Sequence, residues 1–385
     1  MNDLELEEEL KDWRQRLHET PETGFEEQET SSYVAEKLAS FGLGVVRGVG
    51  GTGVVGTLRR GSDRRAIGLR ADMDALAIPD AGTQAYASKH EGRTHACGHD
   101  GHMAILLGAA RLLSRMEGLH GTVHFVFQPA EEHGRGARAM IADGLLARFP
   151  MDEIYGLHGM PGLAEGRFET RPGGIMASED NFVFHIHGRG GHAARPHMVV
   201  DPLVAGAELV LALQTVVSRN VDPTDQAVVS VTEFLTDGAR NIIPGNVTIK
   251  GDTRSYAPPV QALLESRMAE LGAGICAGHR ARHEFEYTHE FEPTVNSPEC
   301  IAPVLAAAAE VSGAANVAGD CRPVLASEDF GAFLRLLPGN FMFLGTGEDS
   351  LPLHNPGFDF NDRLLVPGAR YFAALARLRL GASPP

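Results

Sequence analysis

Five short segments concentrate the residue types that bind metals and move protons. Ala-Asp72-Met-Asp74 follows the apolar run AIGLR, and Gln128-Pro-Ala-Glu131-Glu132 follows TVHFVF. His158 ends IYGL, and His354 stands in LHN beyond FMFLGT. The fifth is His95-Ala-Cys97-Gly-His99-Asp100-Gly-His102. Cys97 and His99 are two apart, so in an extended loop both face the same way. A thiolate with imidazoles suits a borderline-soft ion such as Zn²⁺, and added carboxylates admit Mn²⁺, Co²⁺ or Ni²⁺. Glu131 and Glu132 are neighbours that point different ways, and Pro129 fixes the backbone direction before them. One carboxylate can bind metal while the other faces a water. Metal-assisted hydrolysis needs that division: an ion acidifies water and polarises a carbonyl, and a free carboxylate shuttles the proton.

The elements that must position these residues alternate. Helices are predicted over 4–18 and 26–40, then short strands around VVRG, GVVGTL and AIGLRADMD. A helix at 102–116, a strand at 122–127, a helix around 133–148 and a strand at 153–158 follow. This order predicts an α/β domain on a largely parallel sheet, and in such sheets the functional crevice lies at the carboxyl ends of the strands. Each chemical segment falls at or beside that edge. Residues 180–292 read differently. The order strand, helix, strand, strand, helix, strand (βαββαβ) makes a two-layer α+β unit with both helices on one face. The expectation is a discontinuous catalytic domain, 1–179 and 293–385, interrupted by an inserted domain at 180–292. A helix at 301–313, a strand at 341–346 and a helix at 364–380 complete the first.

Composition excludes several classes. Of 385 residues, 43% are hydrophobic and 22% charged, which suits a globular protein and not a disordered one. The net charge is −16, and half of that excess lies in the first thirty residues. No basic cluster could neutralise a run of phosphates, so no nucleic-acid partner is expected. Asp201 and Glu208 break the longest apolar window, so no membrane span is expected. The acidic start lacks a secretory leader's apolar core, and four cysteines make no disulfide framework. A cytoplasmic location is the expectation. Gly48-Val-Gly50-Gly-Thr-Gly53 matches a dinucleotide fingerprint, but strand-like VVGTL follows where a helix is needed, so it reads as a hairpin. His90-Glu91 with His95 has the wrong spacing for a zincin helix, and no Gly-x-Ser-x-Gly elbow exists.

RADMDAL (70–76), HACGHDGH (95–102), QPAEE (128–132), GLH (156–158), GRGGHAARPH (188–197), RNIIP (240–244), SEDF (327–330) and LHN (353–355) occur in this order. With them the chain resembles the hippurate hydrolase and indoleacetyl-amino-acid hydrolase branch of the co-catalytic metallopeptidases, in the superfamily that includes aminoacylase. The resemblance spans essentially the whole chain. It implies a co-catalytic zinc-peptidase-like α/β domain with an inserted lid or dimerisation domain, and hydrolysis of N-acyl amino acids with two divalent metal ions per subunit. By position it implies Cys97, His99, Glu132, His158 and His354 as metal ligands, Cys97 replacing a bridging aspartate of other branches. It implies Glu131 as general base and Asp74 as the aspartate supporting the metal site. Asp72 stands where other branches have a histidine ligand. In the inserted domain it implies His192 as a donor to the tetrahedral oxyanion, reaching across a homodimer, and Asn241 and Arg254 as substrate-binding residues. SEDF receives no chemical role, and Cys276, Cys300 and Cys321 read as packing residues.

Other readings stay open at this point. The same site could cut dipeptides or act as a carboxypeptidase, or deacetylate an acetylated diamino acid. A non-catalytic binding protein on the same scaffold would be expected to lose Glu131 or the ligands, and all are present.

Overall fold

A computed structural model describes residues 3–381, which divide into two compact units. The first takes in the chain up to Ile175, Val295–Pro323 and Asp329 onward. The second comprises Met176–Thr294 and Val324–Glu328, so the chain enters it a second time in a short segment that the sequence reading does not anticipate.

The first unit is built on an eight-stranded sheet. Its order is Gly44–Val49, Gly53–Arg60, Gly121–Gln128, Ala66–Asp72, Glu153–Pro161, Gly339–Gly347, Phe168–Glu169 and Val317–Ala318. The four central strands, Gly121–Gln128 to Gly339–Gly347, are mutually parallel; Gly53–Arg60 runs antiparallel to them, and Gly44–Val49 pairs antiparallel with Gly53–Arg60 at the edge. Every residue of Ala66–Asp72 is buried, as expected of a parallel strand covered on both faces. The chain leaves this strand for its neighbour Gly121–Gln128, then crosses back to Glu153–Pro161 on its other side. A topological switch point therefore lies at the carboxyl end of Ala66–Asp72, where such sheets open a crevice.

Helix His99–Ser114 starts three residues earlier than predicted. Gly98, at φ +84°, takes the left-handed conformation and turns the chain directly into it. Gly108 in this helix admits Leu10 and Ala369, whose side chains a β-carbon there would meet within 2.9 Å. The helix predicted at 133–148 is two short ones, Gly136–Ala142 and Leu145–Arg148, parted by Gly144 at φ +81°. The glycine-rich 48–53 segment joins two antiparallel strands, so no dinucleotide fold exists there.

The second unit is a four-stranded antiparallel sheet ordered Ala227–Thr236, Asn246–Ser255, Glu179–His187 and Arg282–Phe291. Along Glu179–His187 burial alternates, and Phe182, Phe184 and Ile186 face the core. Helices Pro202–Asn220 and Pro258–Gly278 cover them with Leu209, Leu213, Val216, Leu264 and Met268. Asp201 caps the first helix by accepting the Leu203 N–H at 2.9 Å. That helix is the one among the described residues with the length and apolarity to cross a membrane. Its buried residues Ala205, Leu209, Leu213 and Val216 recur at helical spacing on this core, while Leu203, Val204 and Leu211 are exposed.

Three distant segments of the first unit meet at Arg14, a buried arginine of helix Asp3–Glu19. Nη1 donates to Asp359 at 2.6 Å and lies 3.5 Å from Asp100, and Nε donates to Asp362 at 2.7 Å. Its guanidinium stacks 4.5 Å from the Tyr86 ring, and Tyr86 donates to the other Asp359 oxygen. His18, one turn on, pairs with Asp100 at 2.8 Å. Removing one member of such a buried pair strands the others. Arg14→Leu should therefore lower the unfolding free energy in urea by about 3 to 5 kcal/mol. A loss under about 1 kcal/mol would show that the cluster contributes no more than an exposed pair.

Candidate metal centre

Asp74 organises the switch-point crevice. Its carbonyl oxygen accepts the His99 Nδ1–H at 2.8 Å. Its carboxylate accepts two consecutive backbone N–H groups, Glu131 at 3.0 Å and Glu132 at 3.1 Å. One residue thus holds the His99 ring through its Nδ1–H and sets the path of the glutamate pair. His99 Nε2 is left buried without a hydrogen-bond partner, 3.9 Å from both Glu131 Oε2 and Glu132 Oε1. Glu132 Oε1 is likewise buried and unpartnered, while its Oε2 lies 3.3 Å from His354 Nε2.

Cys97 and His158 meet on the other side of this space, with Sγ 3.6 Å from Nε2. His158 donates Nδ1–H to the Gly159 carbonyl at 2.8 Å, so its Nε2 lone pair faces the thiol. His354, 55% exposed on its side chain, sits at φ +64° and is held by its N–H to the Ala96 carbonyl at 2.8 Å. Cys97 and His99 converge by a left-handed turn at Gly98 and not through an extended loop. Two interlocking sets of donor atoms, Cys97, Glu132 and His354, and His99, Glu131 and Glu132, each lie within 4.8 Å of one another. His158 falls in a third set with Asp72, His99 and His102.

Asp72 and His102 belong to the support of this site. Asp72 accepts Arg70 Nη1 at 2.8 Å on one oxygen and His102 Nδ1 at 2.7 Å on the other. His102 Nε2 accepts the Gly159 N–H at 2.9 Å, so both its nitrogens are taken. Arg70 also donates to Gln128 at 2.8 Å and to Asp329 at 3.2 Å. Asp329 in turn accepts Gln128 Nε2 at 2.7 Å and the Ala137 N–H at 2.9 Å. The SEDF motif, without a role in the sequence reading, thereby supplies the aspartate that ties Arg70 to the turn after Gln128. Motif position flags Asp329 and Gln128; nothing in their spacing reveals the contact.

The charges of the pocket favour a cation. Burial opposes protonation of His99, yet Asp72, Asp74 and Glu132 drive it up to about 10. Burial, then Glu132, Glu131 and Asp72, pushes the Cys97 thiol well above its usual range. His158 is pushed down to about 3, by burial and then by His102, and keeps its lone pair. Unpartnered nitrogen and oxygen atoms, a thiol and surplus negative charge together fit divalent metal binding.

His192, Asn241 and Arg254 lie in the second unit. Gly191–His192 pairs with Ile242–Ile243, and the Ala193 N–H donates to the Asn241 carbonyl at 3.1 Å, so the first two are neighbours. His192 is exposed, and its Nδ1 accepts the Ala194 N–H. Arg254 donates to Ser327 at 2.6 Å and Asp252 at 3.1 Å and pairs with Glu179 at 2.8 Å. Cys276, Cys300 and Cys321 are buried and unbridged.

Residues 68–378 match peptidase family M20/M25/M40. The chain is 40% identical to hippurate hydrolase of Campylobacter jejuni, covering 97% of each protein. It is 37% identical to N-acetyl-L-cysteine deacetylase of Bacillus subtilis, over 97% of this chain and 89% of that one. Among solved structures it is similar to the Bacillus subtilis YXEP protein, described as a dinuclear metal-binding peptidase, with a TM-score of 0.86 and 31% identity over 98% of this chain and 99% of that one. The switch-point crevice, its converging donors and these full-length similarities agree: the chain is a hydrolase of peptidase family M20/M25/M40.

Proposed function

We propose that this enzyme hydrolyses the amide bond of N-acyl amino acids, acetylated, benzoylated or similar, giving a carboxylic acid and a free amino acid. The observation that carries the reading is the glutamate pair at the switch point. Asp74 fixes two consecutive N–H groups, and Glu131 and Glu132 each bring a carboxylate oxygen to 3.9 Å from the unpartnered His99 Nε2. Cys97, His99, Glu132, His158 and His354 would hold two divalent ions, Zn²⁺ or alternatively Mn²⁺, Co²⁺ or Ni²⁺. When bound, such ions supply Lewis acidity toward the amide carbonyl and lower the pKa of water.

The remaining work falls to side chains. Glu131 takes a proton from the attacking water as the carbon–oxygen bond forms, and returns it to the nitrogen as the carbon–nitrogen bond breaks. His192 donates to the oxyanion, and Asn241 and Arg254 bind the substrate, the guanidinium facing its carboxylate. The enzyme acts as a homodimer through the inserted unit, with His192 serving the second copy. Support comes from the open edge strand Ala227–Thr236 and from the exposed apolar Leu211, Leu235 and Ile242. The four unbridged cysteines suit the cytoplasm.

Metal loading tests the ligand set directly. A Cys97 thiol held protonated must lose its proton on coordination. Titrating Zn²⁺ into metal-free protein in weak buffer at pH 7.5 should release about one proton more from wild type than from Cys97→Ala. Equal release would remove Cys97 from the ligands. For catalysis, Glu131→Gln should keep the metals and lose kcat on N-benzoyl- and N-acetyl-amino acids by roughly 10²–10⁴. Wild-type kcat in that variant would refute the role. For the dimer, inactive His192→Ala and Glu131→Gln enzymes should regain activity when co-refolded, each heterodimer assembling one intact site. Mixtures that form heterodimers yet stay inactive, or a monomer at micromolar concentration, would remove His192 from the second copy's site.

A further inference from the structure

The turn that carries Glu131 is held by a carboxylate that the reaction does not use. After Pro129, Ala130 adopts φ +49°, a conformation unfavourable for any residue with a β-carbon. Such a residue persists only where its surroundings impose it. Here three consecutive backbone N–H groups point at buried carboxylates. Those of Glu131 and Glu132 go to Asp74, and that of Ala130 goes to Glu27 Oε1 at 2.9 Å.

Glu27 is fully buried, 103 residues away in sequence, and Thr52 donates its hydroxyl to the other oxygen at 2.5 Å. Its own backbone is fixed. It precedes helix Gln28–Ser40 and accepts the Ser31 N–H at 3.0 Å, and the Glu22 carboxylate caps that helix through Glu29 and Thr30. The preceding loop also packs on the turn, since a β-carbon on Gly24 would meet Ala130 at 2.9 Å. No step assigned above calls on Glu27.

We infer that Glu27 is a positioning residue for the general base: by accepting the Ala130 N–H it holds the left-handed turn that aims Glu131. The inference rests on Glu131 being that base. What matters is the acceptor and not the charge. Burial pushes the Glu27 carboxyl up to about 7, and its protonated form can donate to Thr52 while Oε1 still accepts from Ala130. A glutamine can do the same.

The test compares Glu27→Gln, Glu27→Ala and Glu27→Ala/Ala130→Gly under saturating metal, with kinetics and hydrogen exchange of the peptide covering 128–135. Glu27→Ala should lose kcat by about 10²-fold, the usual cost of misplacing a catalytic group by an ångström, with KM nearly unchanged. Its turn amides should exchange faster while distant peptides do not. Glu27→Gln should match wild type in both readouts. Because glycine adopts positive φ without strain, Ala130→Gly should recover at least part of the lost kcat in the double variant. Should Glu27→Ala fail to fold, Glu27→Met, of similar length, carries the same expectation. Full kcat or unchanged turn exchange in the alanine or methionine variant overturns the inference, as does a glutamine variant equally impaired. Glu131→Gln separates the two readings. If it keeps wild-type kcat, the base assignment falls and this inference with it. If it is inactive while Glu27→Ala is unimpaired, only this inference falls.

Discussion

Burying an acidic pocket at the end of a parallel sheet is the constraint on which this structure depends. Asp72, Asp74 and Glu131 are buried there beside Cys97, and each charge withdrawn from water must find a partner or neutralise. The histidines show how differently neighbouring groups settle. His99, among carboxylates, is driven up to about 10, while His158, among other imidazoles and backbone, is pushed down to about 3. The first takes up a proton to supply missing positive charge, and the second stays neutral. A divalent ion could supply that charge in place of the proton, freeing His99 Nε2 as a donor and favouring the Cys97 thiolate.

Topology and two arginines meet the rest of the demand. The reversal of strand order beside Ala66–Asp72 brings the ends of three parallel strands together, so residues far apart in the chain reach one crevice. Arg70 then joins Asp72, Gln128 and Asp329, and Arg14 joins Asp100, Asp359 and Asp362. Asp100 follows His99, and Asp359 and Asp362 lie shortly after His354. Each guanidinium therefore stabilises carboxylates on or beside segments that also carry candidate ligand residues, and its planar fork can bind several at fixed angles. A lysine at either place would offer three donors from a single point and not a planar fork.

Much of this was legible in the sequence because strand ends and metal-type residues coincide. Asp72, Glu131, Glu132 and His158 each follow an apolar run that could only be a buried strand, and the βαββαβ order at 180–292 is written in its hydrophobic periodicity. Local geometry was less legible. The reading of Cys97 and His99 as an extended pair failed because Gly98 is left-handed, a conformation that places Phe360 3.0 Å from where its β-carbon would be. The two-residue strands Phe168–Glu169 and Val317–Ala318 are too short to show a period. Long-range support was invisible: Arg70 and Asp329 are 259 residues apart, and their residue types alone do not point at each other. His102 receives no role of its own from the sequence, and the structure engages both its nitrogens, with Asp72 and with the Gly159 N–H.

Backbone strain follows the same logic. Among the described residues only Phe25, Ala130, Arg280 and His354 have positive φ without being glycine. His354 is a ligand candidate, Ala130 immediately precedes the glutamate pair, and Phe25 lies two residues before Glu27. A strained residue persists where hydrogen bonds on both sides over-determine it, and the Ala130 and His354 N–H groups are both bound, by Glu27 and by the Ala96 carbonyl. Regular strand and helix geometry offers only a few side-chain directions. Aiming a carboxylate and an imidazole at one point from two loops requires a less common one. The loops can hold it because the sheet and its buried charges fix where they begin and end.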